Sequence, residues 1–214
     1  MRFHFNSFWV FIFFVIPVIA QQEWVLKKDK EGIQVFNGKA ADSKFKIIRV
    51  TCVLDASISQ LAAVLLATSR QPEWVIATKS STLLKTLESS RIYYYTEIEL
   101  PWPVSNRDMV AEMSITQNPV TKNLTIRANN INHIFPEKKG KVRIPFSQAV
   151  WEVTPIAKDK IKIDYSIKLD PGGGIPAWLV NLFTTNGPFE TFQKLKIIIQ
   201  DKQFQNRKFD FIKE

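Results

Sequence analysis

Few residues in this 214-residue chain have the chemistry to make or break a bond. Cys52 is the lone cysteine, and His4 and His133 are the two histidines. That set falls short of the usual four-ligand zinc sites, so no metal is assigned. His133 could serve as a base, but no serine or cysteine nucleophile motif accompanies it. Cys52 shares a strand face with Ile48, Val50 and Leu54, which reads as a buried, inert thiol. The Gly172–Gly174 run precedes a helix start, where free N–H groups can hold phosphate. It lacks the G-K-[ST] ending of a phosphate loop, so a tight strand-to-helix turn explains it better. Arg107-Asp108 could clamp a ligand, but reads first as structural, a turn aspartate and a paired arginine at a strand start. Asn181 could hydrogen-bond a ligand head group or cap the adjacent loop. Asn123-Leu124-Thr125 matches a glycosylation acceptor but begins a predicted strand. No catalytic residue and no cofactor is assigned, and the expectation is a protein that is not an enzyme.

The elements that position these residues follow from periodicity. Ile161, Ile163, Tyr165, Ile167 and Leu169 alternate with Lys160, Lys162, Asp164, Ser166 and Lys168, the pattern of a strand with one wet and one dry face. After the glycine turn, Pro176 suits a first helical position, and Trp178, Leu179, Leu182 and Phe183 make an apolar stripe. Pro188 should kink or break that helix, and Phe189, Phe192, Leu195 and Ile199 carry the stripe onward. Upstream, Ile33–Phe36 and Phe45–Leu54 read as strands, and Ser57 with Gln60 as a capping box opening a helix that Pro72 ends. Ile92, Tyr94, Ile98 and Leu100 share one strand face; Met109, Ala111, Met113 and Ile115 share one on the next. Pro119 to Asn123 reads as a hairpin turn. The apolar phase shifts between Phe146 and Trp151, which predicts a bulge or bend. The charged tail from Gln205 is expected to fray. The class is therefore α+β, a curved antiparallel sheet gripping a long C-terminal helix with a cavity between them.

Composition narrows the partners. The first 20 residues read as a signal peptide: Arg2, an apolar run from Phe8 to Ile19, and Val18-Ile19-Ala20 before a cleavage at Gln21. The run is short for a bilayer span, and an uncleaved anchor is the alternative. Cleavage removes one charged residue, Arg2, and takes the formal net charge from +9 to +8. The lysines are scattered without an arginine tract, so no nucleic-acid partner is expected. An exported protein, periplasmic or secreted, is expected, and a monomer. Residues 21–204 make the one folded domain and 205–214 a tail.

Specific stretches then look familiar. Pro103-Val104-Ser105-Asn106-Arg107-Asp108-Met109-Val110, Val142-Arg143-Ile144 with Trp151-Glu152-Val153-Thr154-Pro155, and Asp170-Pro171-Gly172-Gly173 with Ile175-Pro176-Ala177-Trp178-Leu179-Val180-Asn181 resemble the motifs of START domains, the StAR-related lipid-transfer family. Gly32-Ile33-Gln34-Val35-Phe36 and Trp74 sit where the family has a strand and a tryptophan after its helix. The resemblance runs from about Glu23 to Ile199. It implies a helix-grip fold with an internal hydrophobic tunnel that binds one lipid or sterol without covalent chemistry. Tyr94, Ala111, Met113, Ile115, Trp178, Asn181 and Leu182 would line that cavity, although a stripe such as Trp178–Leu182 is also what a plain core presents. Sterol-binding members carry an arginine near the Met113 position; no arginine lies between Met109 and Gln117. The resemblance also makes the Asn132–Lys141 loop part of a lid. Phe135 flanked by Lys138, Lys139 and Lys141 would suit transient contact with an anionic membrane, against the alternative of an ordinary polar loop. The runner-up functions are a cyclase- or aromatase-like enzyme on the same fold and a protein-interaction module of the cell envelope.

Overall fold

The computed structural model describes residues 23–38, 46–176, 179–180 and 182–214. The signal-peptide reading lies outside the described residues. So do Phe45, Trp178 and Asn181, and the side chain of Leu182.

Ten strands form one sheet: β1 (Trp24–Lys30), β2 (Ile33–Gly38), β3 (Lys46–Leu54), β4 (Thr78–Glu88), β5 (Arg91–Ile98), β6 (Arg107–Gln117), β7 (Leu124–Asn130), β8 (Val142–Arg143), β9 (Phe146–Ala157) and β10 (Lys160–Asp170). Their order is β1-β2-β3-β10-β9-β7-β6-β5-β4, antiparallel throughout this path, with β8 added parallel to the start of β6. The α-helices α1 (Ile58–Leu66), α2 (Gln71–Trp74) and α3 (Gly187–Ile198) accompany the sheet. The expected helix-grip arrangement is observed: the sheet curves around α3, α2 packs against α3 and β4, and α1 adds Ile58, Leu61 and Leu65 to the core.

Local chemistry explains the principal elements. The capping box at α1 forms as expected: Gln60 N–H donates to Ser57 Oγ (3.2 Å) and Ser57 N–H to Gln60 Oε1 (2.9 Å). The bulge expected between Phe146 and Trp151 is absent, since β9 pairs there with β10 and β7 in unbroken register; the interruption falls earlier, at Ile144-Pro145 between β8 and β9, because proline has no N–H for the ladder. The break anticipated near Pro188 takes the form of a π-helical turn at Leu182–Asn186, after which α3 begins with Pro188 in its first turn.

Two further strands, β1 and β4, were not expected from the sequence. The tail is a correction: it does not fray. Ile212 and Phe204 are buried, Phe209 and Phe211 pack ring to ring (5.1 Å), and Lys213 exchanges two hydrogen bonds with Gln117, both at 2.8 Å. Burying apolar side chains outweighs the charge of their neighbours here.

The space between α3 and the sheet is solid at one end and hollow at the other. Ile161 and Ile163 of β10 pack with Leu124, Ile126, Leu195 and Ile199 in the core. Tyr165, Ile167 and Leu169, on the same face of the same strand, are only partly buried. They look onto empty space.

Candidate functional site: an internal chamber

Two adjacent cavities, about 240 and 450 Å³, occupy the hollow end. They share Ile48, Ile98, Ile144, Leu169 and Phe183 as wall residues. These volumes are of the scale of small-molecule sites.

The inner chamber lies between the sheet and α3. Trp151 of β9 forms its aromatic centre, stacked on Phe192 of α3 (5.3 Å), tilted against Tyr165 (4.6 Å) and edge-on to Trp74 of α2 (6.4 Å). Tyr94 and Met113 face it from β5 and β6. Its polar groups are few. The Thr96 hydroxyl donates to Gln71 Oε1 at 3.3 Å and lies 3.2 Å from Ser81 Oγ. Thr191 Oγ1 accepts from Ile76 N–H (3.1 Å), while the buried Trp74 Nε1 has no partner among the described residues. Burial pushes the Tyr94 phenol up to about 12 and Tyr165 higher still, so both are neutral hydrogen-bonding groups at ordinary pH. Burial likewise pushes the Cys52 thiol up to about 12, as an inert core cysteine requires.

The outer chamber sits at the rim, under the turn that leaves β10. Leu100, Arg107, Asp170, Gly173, Val180 and Thr184 contribute to its wall. Gly172 and Gly173 both have positive φ, +68° and +61°, which glycine adopts without strain. A Cβ on Gly172 would stand 3.0 Å from Pro145 Cδ, so the turn also needs the close approach.

Of the expected cavity residues, Tyr94 and Met113 reach the chamber and Ala111 and Ile115 do not. The latter two are on the same face but belong to the packed core. Ala111 stands opposite Tyr94, and its single methyl reaches less far from the sheet than that ring. Ile115 pairs with Ile126 towards the solid end. The sequence reading passed over Trp74, Trp151 and Tyr165 as lining residues, although each had been singled out as a motif or dry-face position.

The Asn132–Lys141 loop is also placed differently. It lies against the opposite face of the sheet from the chamber. Phe135 packs on Tyr95 (5.2 Å), Lys138 Nζ sits 4.1 Å over the Tyr95 ring, and Lys141 is ion-paired with Glu97. Side chains alternate along a strand, so Tyr95 and Glu97 point away from the face that Tyr94 and Thr96 occupy. Of the four residues, Lys139 alone has none of these contacts.

Arg107 and Asp108 are likewise split between faces, which corrects the reading of Asp108 as a turn aspartate and of Arg107 as a paired arginine: both lie in β6, and no ion pair of Arg107 is found among the described residues. Asp108 accepts from Arg143 Nε (2.7 Å), Arg143 Nη2 (3.1 Å) and Tyr95 Oη (3.2 Å). Arg143 also donates to the backbone oxygens of Asn132, Phe135 and Pro136, tying the loop down. Arg107 faces the chamber.

Comparison with known proteins agrees with this architecture. Residues 18–203 match the START domain family. An uncharacterised protein of Pseudomonas aeruginosa is 28% identical over 186 residues, 86% of this chain and 91% of that one. The rat phosphatidylcholine transfer protein is 27% identical over 175 residues, 80% of this chain and 81% of that one. A crystal structure of a STAR-related lipid transfer protein fragment from Xanthomonas axonopodis superposes with a TM-score of 0.76 at 32% identity, covering 83% of this chain and 99% of that one. This chain is a member of the START domain family.

Proposed function

We propose that this protein binds one lipid or similar hydrophobic molecule between α3 and the sheet and carries it without covalent chemistry. The observation that carries the reading is the hollow end itself. An apolar space, walled by Trp74, Trp151, Met113 and Phe192, is left unfilled in a molecule whose other end is tightly packed. Close packing is the rule for interiors, so a hollow of this size is a site for something else. The family is one of lipid-binding and transfer modules. Because the rat relative is a phosphatidylcholine transfer protein, glycerophospholipids are the first ligands to seek.

The membrane contact belongs, in this reading, to the turn between β5 and β6. Trp102 there is 91% exposed, and Leu100, two residues earlier, lines the outer chamber. An exposed indole two residues from the chamber wall suits the membrane–water interface. The work takes place outside the cytoplasm, a reading supported by the apolar run from Phe8 to Ile19. Mass spectrometry of the exported chain checks it: a mature N-terminus at Gln21 is expected, and an intact leader sinks the cleavage.

Native followed by denaturing mass spectrometry of gently purified protein tests the ligand. One lipid per chain is expected. Protein that purifies empty, and takes nothing up from liposomes, overturns the reading.

A further inference from the structure

We propose that Arg107 holds an acidic oxygen group, a phosphate or carboxylate, on the head of the bound amphiphile. The proposal rests on the lipid-binding reading above and deepens it.

Arg107 begins β6 and has the same parity as Met109, Ala111 and Met113, so it projects from the chamber face. It is 3% exposed and forms part of the outer-chamber wall. A guanidinium has five N–H donors. Two bonds are made, from Nη1 to the Ser105 carbonyl oxygen and from Nη2 to that of Gly172 (3.1 Å). The buried Nε has no partner among the described residues. Among the described residues no carboxylate lies within ion-pairing distance of Arg107. Asp170 lines the same chamber, but its Oδ1 accepts from the Gly172 N–H (2.9 Å). Asp108, the adjacent residue, is engaged by Arg143 on the opposite face.

A buried arginine elsewhere in the fold shows what a structural one looks like. Arg143 has a carboxylate across two N–H bonds and three carbonyl oxygens besides. Among the described residues, Arg107 has carbonyl oxygens alone. Its charge is desolvated without a counter-charge, which is costly unless something supplies one. Burial accordingly draws its pKa down, with no opposing carboxylate. Phosphate and carboxylate groups match the planar guanidinium fork and supply the missing charge. The position also suits an amphiphile. The arginine sits at the rim, and the apolar inner chamber lies beyond the shared wall of Ile98, Ile144 and Phe183. Acyl chain inside and acidic head at the rim follows.

The test compares two amphiphiles with the same chain, 1-palmitoyl lysophosphatidic acid and 1-palmitoylglycerol, with inorganic phosphate as a third arm. Binding is read from tryptophan fluorescence, since Trp74 and Trp151 line the inner chamber. The wild-type protein is expected to prefer the phosphate-bearing amphiphile by about tenfold, the scale of a charge-assisted hydrogen bond. In Arg107→Gln that preference should fall to about twofold or less while 1-palmitoylglycerol still binds; Arg107→Lys should retain part of it. Equal wild-type affinity for the two amphiphiles overturns the proposal and leaves lipid binding standing, and so does a preference unchanged in Arg107→Gln. Failure of both amphiphiles to bind overturns the lipid reading and this one with it. Inorganic phosphate binding as tightly as the phosphate-bearing amphiphile overturns the head-group assignment in favour of a free-anion site. Should Arg107→Gln fail to fold, the wild-type preference still decides.

Discussion

The two faces of the sheet at β5 and β6 are built from alternate residues of the same strands, yet they obey different rules. On the outer face every charge is matched: Asp108 with Arg143, Glu97 with Lys141 and Lys79. The loop from Asn132 covers that face and is pinned to it through Arg143. On the inner face, one residue away, Arg107 has no counter-charge among the described residues and Tyr94 and Met113 face a hollow. A matched face stabilises the fold, whereas an unmatched one has capacity left over for a ligand. This contrast gives adjacent residues opposite expected phenotypes.

The largest effect is expected at Asp108. Its side chain is 1% exposed and that of Arg143 5%. Asp108→Asn leaves a buried guanidinium without its counter-charge, at a cost of about 3–5 kcal/mol, or roughly 10 °C in Tm for a chain of this size. Urea and thermal unfolding measure it. The preference between acidic and neutral amphiphiles should survive, because Asp108 does not face the chamber. A loss under about 1 kcal/mol would remove the outer face as a stabilising element.

On the inner face the expected signature is reversed. Ala149 stands on the chamber wall between Ile167 of β10 and Ala128 of β7. Ala149→Trp should cut lipid occupancy about tenfold while moving stability little, since the indole enters vacant space. Overfilling a packed site costs about 1–3 kcal/mol instead. A variant that loses stability yet keeps its lipid would show that the position belongs to the core.

How much of this was legible in the sequence depends on what interrupts the period. Helix α1 was readable because Ser57 and Gln60 satisfy its first N–H groups at a fixed spacing. Strand β10 was readable because its alternation runs unbroken from Ile161 to Leu169. Strand β4, by contrast, pairs with β5 through three register shifts, between Thr78 and Ser80, Leu83 and Lys85, and Thr86 and Glu88. Each shift resets the alternation, and an edge strand has no second neighbour to restore it. Tail docking was hidden by composition, with charged residues around Phe204, Phe209 and Ile212. The split between Arg107 and Asp108 was available in principle, since consecutive strand residues point to opposite faces. What the sequence could not supply was the identity of the partner, because Arg143 is 35 residues away.

A smaller effect concerns Glu97 and Lys141, again on the outer face. The Lys141 ammonium is the main reason that the Glu97 carboxyl titrates below its usual range, with burial opposing it. A lowered folded-state pKa means the stabilisation is present above the unfolded value of about 4.3 and is lost as pH falls through the folded value. Lys141→Gln should therefore cost about 1 kcal/mol at neutral pH. The gap between variant and wild type should close in unfolding titrations run below pH of about 4. A gap that stays constant with pH would assign the effect to lost packing of the lysine stem.

The smallest effect on stability is expected at the place where the two faces meet. The turn from β5 to β6 is closed by Leu100 N–H donating to Asn106 Oδ1 (3.1 Å), and it sends Leu100 into the outer chamber while Trp102 stands 91% exposed. A side chain that exposed contributes little to folding, so Trp102→Ala should change stability by less than about 0.5 kcal/mol. Transfer is another matter. If the lipid leaves by the outer chamber, it passes the rim on which Arg107 and this turn stand together. Removing the indole should then slow transfer between vesicles severalfold while equilibrium binding of a monomeric amphiphile is unchanged. Transfer at the wild-type rate would detach the turn from the membrane step, and a matching loss of equilibrium binding would make Trp102 part of the ligand site instead.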